Sequence, residues 1–203
     1  MHTILDVREA DAAAVRASVA VVRRLTAADL GRATPCADWD LGALLAHMTV
    51  QHRGFAAAAA GHGGDLSAWQ PGPLGDNPVR AYADAAERVI TAFAEAGVLE
   101  REFALPEVRS GQSFPGRIAI GFHLVDYVVH GWDVATSLGI PFGLPADVLA
   151  VALPIAEAVP GGSARTTPGA AFGPAQPITG EATALDQILA RLGRSPENVG
   201  GSR

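Results

Sequence analysis

The sequence contains no lysine: all 15 of its basic side chains are arginine. Against 21 acidic residues this leaves a net charge of −6 and no basic stripe, which excludes binding nucleic acid through an electrostatic surface. Cysteine is almost absent. Cys36 stands alone, so no intrachain disulfide can form. Long apolar runs are missing too. None approaches the roughly 20 residues that span a bilayer, and Met1, His2 and Thr3 do not open a basic region followed by an apolar stretch. A cytoplasmic chain without a membrane partner is expected. Aromatics make up only 6% of the residues and β-branched runs are few, whereas alanine, leucine and valine abound, so packed helices are favoured over sheet.

Apolar spacing predicts a helix from about Asp6 to Leu25, carrying Val7, Val15, Val19 and Val22. Asp40 stands where an N-cap belongs, ahead of a second helix reaching about Ala60. A glycine- and proline-rich excursion follows, from Gly61 to Pro78, and then a third helix with Val79, Tyr82, Ala86, Val89, Ile90 and Phe93 on one stripe, ending near Gly97. Residues 101–115 read as irregular, with a short extended piece at 102–105. The fourth helix runs from about Arg117 to Leu138 and is closed by Gly139 and Pro141. Shorter helices at about 146–158 and 184–192 precede a tail, Gly193 to Arg203, that should be loosely held. The expected fold is all-α: a four-helix bundle over residues 1–140 and a short C-terminal helical appendage with its tail over 141–203.

The fourth helix carries the chemistry. At 100° per residue, His123, Asp126, His130 and Asp133 stack on one narrow stripe. Ile118, Phe122, Val125, Val129 and Trp132 flank it on one side; Ile120, Leu124, Val128 and Ala135 flank it on the other. Two readings follow. The stripe either faces water, or faces the interior and holds a metal ion with Asp126 and His130 pointing the same way one turn apart. A metal needs a third ligand from elsewhere. His2 lies at the chain end and His62 in a glycine-rich loop, so neither ranks high. His47 sits mid-helix among Leu44, Leu45, Met48 and Val50, where a histidine is more often a satisfied core residue than a ligand. His52 is the fallback.

The segment TPCADWDLGALLAH, residues 34–47, resembles a segment of the DinB-like metal-binding superfamily. More narrowly it is similar to the actinobacterial branch related to mycothiol-dependent maleylpyruvate isomerase. DYVVHGWDVA, residues 126–135, resembles that branch's acidic-residue, histidine, Gly-Trp-Asp signature, and FGPAQP (172–177) and ALDQILARLGR (184–194) also fit it. The resemblance implies a DinB-like bundle whose divalent metal, zinc first and nickel second, is held by His47, Asp126 and His130. Asp126 takes a position often held by glutamate. His123 is then expected near the metal, as a fourth ligand or a catalytic base beside it. Trp132 and Asp133 are expected to supply packing and a hydrogen bond, Trp39 and Asp40 to anchor the loop and cap the helix, and Cys36 to be a small buried residue rather than a nucleophile.

Three protein ligands leave a coordination position open, which is the catalytic pattern. Metal at such a position lowers the pKa of a bound thiol or water. In the resembled branch the thiol is mycothiol, and its thiolate attacks an electrophilic substrate. A metal-dependent thiol transferase or isomerase is therefore expected, with a low-molecular-weight thiol and an electrophile as small-molecule partners. Arg53, Arg109 and Arg117 are candidates to hold carboxylates. The branch's isomerase has a fuller C-terminal domain than the sixty or so residues present here, so maleylpyruvate is not assigned. A hydrolase using metal-bound water and a non-catalytic metal-binding or interaction protein are the alternatives; alanine-rich faces also suit a homodimer.

Overall fold

Asp6 starts the first helix. Its carboxylate accepts from the Arg8 N–H, and Glu9 reaches back to complete a capping box at the head of α1 (Val7–Val22). Asp40 does the same work for α2 (Leu41–Ala59), accepting the Ala43 N–H at 2.8 Å. Asn77 caps α3 (Pro78–Phe93), with Pro78 in the first turn, where a missing N–H costs nothing. The longest helix, α4 (Gly116–Leu138), stops at Gly139, whose φ of 67° lies in the left-handed region that glycine occupies without strain. These elements belong to a computed structural model that describes residues 6–36, 39–108, 111–167, 170–178 and 181–196.

In the bundle α1 lies beside α4 and α3, and α2 lies beside α3 and α4. Helices 1 and 2 are thus diagonal partners, and so are 3 and 4. The core has three connected parts. One, around Leu41, Leu44, Leu45, Met48 and Tyr127, fills the end of the bundle where α2 begins. A second, around Phe93, Phe103 and Ile120, fills the opposite end. The third joins α1 and α4 to the C-terminal helices.

The expected irregular stretch holds a small antiparallel hairpin: β1 (Glu102–Ala104) pairs with β2 (Ser113–Pro115), and Phe103 stands opposite Phe114. Three-residue strands are too short to show alternation, so only the first was legible as an extended piece. Phe103 is fully buried, its ring 6.1 Å from that of Phe93, and this plugs the bundle end.

The described helices after residue 141 do not stand apart. α5 (Ala146–Ala158) packs on α1 and α4, and α6 (Ala184–Arg191) packs on α5. Ile188, Leu189 and Leu192 are fully buried with Leu124 and Val128 of α4. No helix among the described residues is long and apolar enough to cross a membrane.

Candidate metal centre

The polar stripe of α4 faces inward. His123, His130 and Asp133 are buried, and Asp126 keeps about a fifth of its side chain in contact with solvent, at 22%. A stripe between two apolar flanks can be interior because α4 packs against three other helices, α1, α2 and α5. Gly131 serves this closeness. A Cβ there would lie 2.7 Å from the Phe142 ring.

His47 of α2 meets Asp126 and His130 of α4, and one donor atom from each lies within 4.8 Å of the others. The Nε2 of His130 is 3.3 Å from Oδ1 of Asp126. The rings of His47 and His130 stand nearly edge to face, with centroids 5.3 Å apart. His47 and Asp126 are only partly covered, so the group opens on that side. Trp39 lies against His47 at 4.6 Å between ring centroids. It is held there by the loop before α2: the Thr34 hydroxyl donates to the Trp39 carbonyl at 2.8 Å, and the Trp39 N–H donates to the Cys36 carbonyl. The tryptophan thus does more than anchor its loop; it covers one face of a candidate ligand.

Behind His130 runs a chain of charge. Its Nδ1 is 2.9 Å from Oδ2 of Asp133. Asp133 is fully buried and receives the Arg194 guanidinium on both oxygens, Nε at 2.9 Å on Oδ1 and Nη2 at 2.8 Å on Oδ2. Burial disfavours charge on His130, but Asp126 and Asp133 together outweigh it and lift its pKa to about 9. Burial, with the neighbouring His130, prevails at His47, which is lowered to about 4 despite Asp126. Near neutral pH His47 therefore offers a lone pair, and His130 shares a proton with its two carboxylates. For Asp126 burial opposes ionisation, and His130 overrides it, so the carboxylate stays ionised.

A second donor group, Cys36 with His130 and Asp133, has the same compactness. Arg194 already supplies a cation there, hydrogen-bonded to Asp133 and beside Cys36, which disfavours a metal ion. Burial pushes the Cys36 thiol upward in spite of that arginine. The thiol is not activated.

His123 is placed elsewhere. Its Nδ1 lies 2.6 Å from Oδ1 of Asp11, and its Nε2 lies 3.1 Å from Nδ1 of His52. Both ring nitrogens are thus engaged within the core, and neither joins the three-donor group. His52 stacks on Tyr127 at 4.0 Å, and burial holds it well below its ordinary pKa. Burial also raises Asp11, with His123 opposing. His62 and Arg53 are exposed, and Arg117 is exposed with Glu100 at 3.7 Å. His2 and Arg109 lie outside the described residues.

One comparison reaches all four bundle helices and includes the three-donor group: the family model for the mycothiol maleylpyruvate isomerase N-terminal domain matches residues 12–135. The chain belongs to that family. It is 30% identical over 181 residues to the uncharacterized protein Rv0738 of Mycobacterium tuberculosis H37Rv, covering 88% of this chain and 92% of that protein. The uncharacterized protein MT0763 of M. tuberculosis CDC 1551 matches to the same extent. No solved structure gives a significant match. The mycothiol maleylpyruvate isomerase N-terminal domain match includes His47, Asp126, His130 and Asp133, and it ends well before Arg194.

Two residues of this region escaped the sequence. Asp11 falls midway between Val7 and Val15, four residues from each, so it sits on the apolar stripe of α1; a carboxylate in that register is a signal of a buried partner. Arg194 gave no local signal.

Proposed function

We propose that the chain binds a divalent metal ion, zinc first and nickel second, through His47, Asp126 and His130, and uses it with mycothiol or a related low-molecular-weight thiol in a transferase or isomerase reaction. The observation that carries this reading is the convergence of two imidazoles and a carboxylate, from two helices, at a place partly open to solvent. The donor set fits the ion. His47 is held neutral, His130 is oriented through Nδ1 by a buried carboxylate, and Asp126 supplies the negative charge. Such an ion supplies Lewis acidity, lowering the pKa of a thiol that reaches its open position.

The chain's own residues do the rest. Asp133 holds the His130 ring so that Nε2 points at Asp126. Trp39 lies against the His47 ring and limits its movement. The thiol reading rests on family membership, and the lone Cys36 suits a reducing cytoplasm in which such thiols stay reduced.

Thermal unfolding with zinc, with mycothiol and with both tests the reading. The thiol should raise the midpoint only when zinc is present. Turnover of ester or amide substrates without any thiol would favour a hydrolase. Stabilisation by thiol in metal-stripped protein would sink the proposed arrangement.

A further inference from the structure

Arg194 is 6% exposed and places a guanidinium on both oxygens of a carboxylate sixty-one residues away. Its position is built by the C-terminal helix. Ile188, Leu189 and Leu192 sink α6 into the core shared with α4. The chain then turns at Gly193, whose φ is 86°; a Cβ there would lie 2.9 Å from the Gly173 backbone. The Arg194 N–H returns to the Leu189 carbonyl at 2.9 Å, and the side chain is directed inward.

At the other end of this clamp, Oδ2 of Asp133 accepts from Arg194 and also faces Nδ1 of His130. A carboxylate alone can rotate about its last bond; one forked by a guanidinium cannot do so without losing two charge-assisted hydrogen bonds. We propose that Arg194 is a positioning residue for the metal centre: through Asp133 it fixes the ring of His130, so the C-terminal segment completes a site whose ligands all lie in the family domain. This deepens the metal-binding reading and rests on it. A plain ion-pair staple for the C-terminus would stabilise the fold and leave His130 unaffected.

The experiment compares wild type, R194A and R194K by three measurements: zinc affinity in chelator competition, the cobalt(II) absorption spectrum, and imidazole nitrogen NMR of metal-stripped protein. Circular dichroism checks that each variant is folded. R194A is expected to weaken zinc binding about 10-fold or more, the range seen when a partner that orients a ligand is lost. It should alter the cobalt spectrum and abolish the protected His130 Nδ1–H signal; R194K, which keeps charge but loses the fork, should fall between. A folded R194A with zinc affinity within about twofold of wild type and an unchanged His130 signal overturns the inference, even if its melting point drops. If R194A does not fold, R194K decides by the same three readouts. If wild type binds no zinc, the metal reading fails by itself, and the His130 signal in stripped protein still decides whether Arg194 positions the ring.

Discussion

Oδ1 of Asp126 lies 3.3 Å from Nε2 of His130, so without metal the carboxylate faces the nitrogen that a metal would use. A proton between them is what the geometry favours. The folded pKa of His130, about 9, stands above its ordinary value of 6.5. A raised pKa contributes stability that is fully present below 6.5 and is lost as pH rises through about 9. Chelator-stripped protein should therefore lose stability across this window in urea titrations, and His130→Gln should flatten the decline. Stability that rises over the same window would contradict the assignment.

Asp11 and His123 make a separate buried pair, 2.6 Å between Oδ1 and Nδ1, joining α1 to α4. His123→Ala should leave zinc stoichiometry unchanged, since both ring nitrogens are engaged elsewhere. It leaves the buried Asp11 carboxyl without its imidazole partner and should cost about 1–3 kcal/mol in urea unfolding. Loss of zinc from a well-folded His123→Ala protein would instead return His123 to the ligand set.

Helix α2 owes its contact with Trp69 to Gly54. An added Cβ would lie 2.3 Å from the indole, and the ring cannot easily withdraw because its N–H donates to the Gly63 carbonyl at 2.8 Å. Gly54→Ala should destabilise the protein by about 1–3 kcal/mol despite the better helix propensity of alanine. Thermal or urea unfolding checks it; a stabilised variant would mean the ring moves aside freely.

The bundle was legible because its helices are long, capped and periodic. Asp126 and His130 were legible as a pair because four residues make one turn. His47 was different: nothing in its own neighbourhood separates a ligand from a satisfied core histidine, and only resemblance singled it out. Whether the α4 stripe faced inward could not be read from α4, since apolar residues flank it on both sides and the answer depends on what α1, α2 and α5 cover. Asp11 was hidden by its apolar surroundings. The Arg194 clamp depends on a turn at Gly193 and the docking of α6, and a contact over sixty-one residues leaves no trace in local spacing.

Metal content measured by elemental mass spectrometry tests the central claim most directly, on tag-free wild type and on His47→Ala and His130→Ala. Near one equivalent of zinc or nickel in wild type, lost in both variants while helicity is retained, is the expected result. Wild type that carries no metal and takes up none on reconstitution would contradict it.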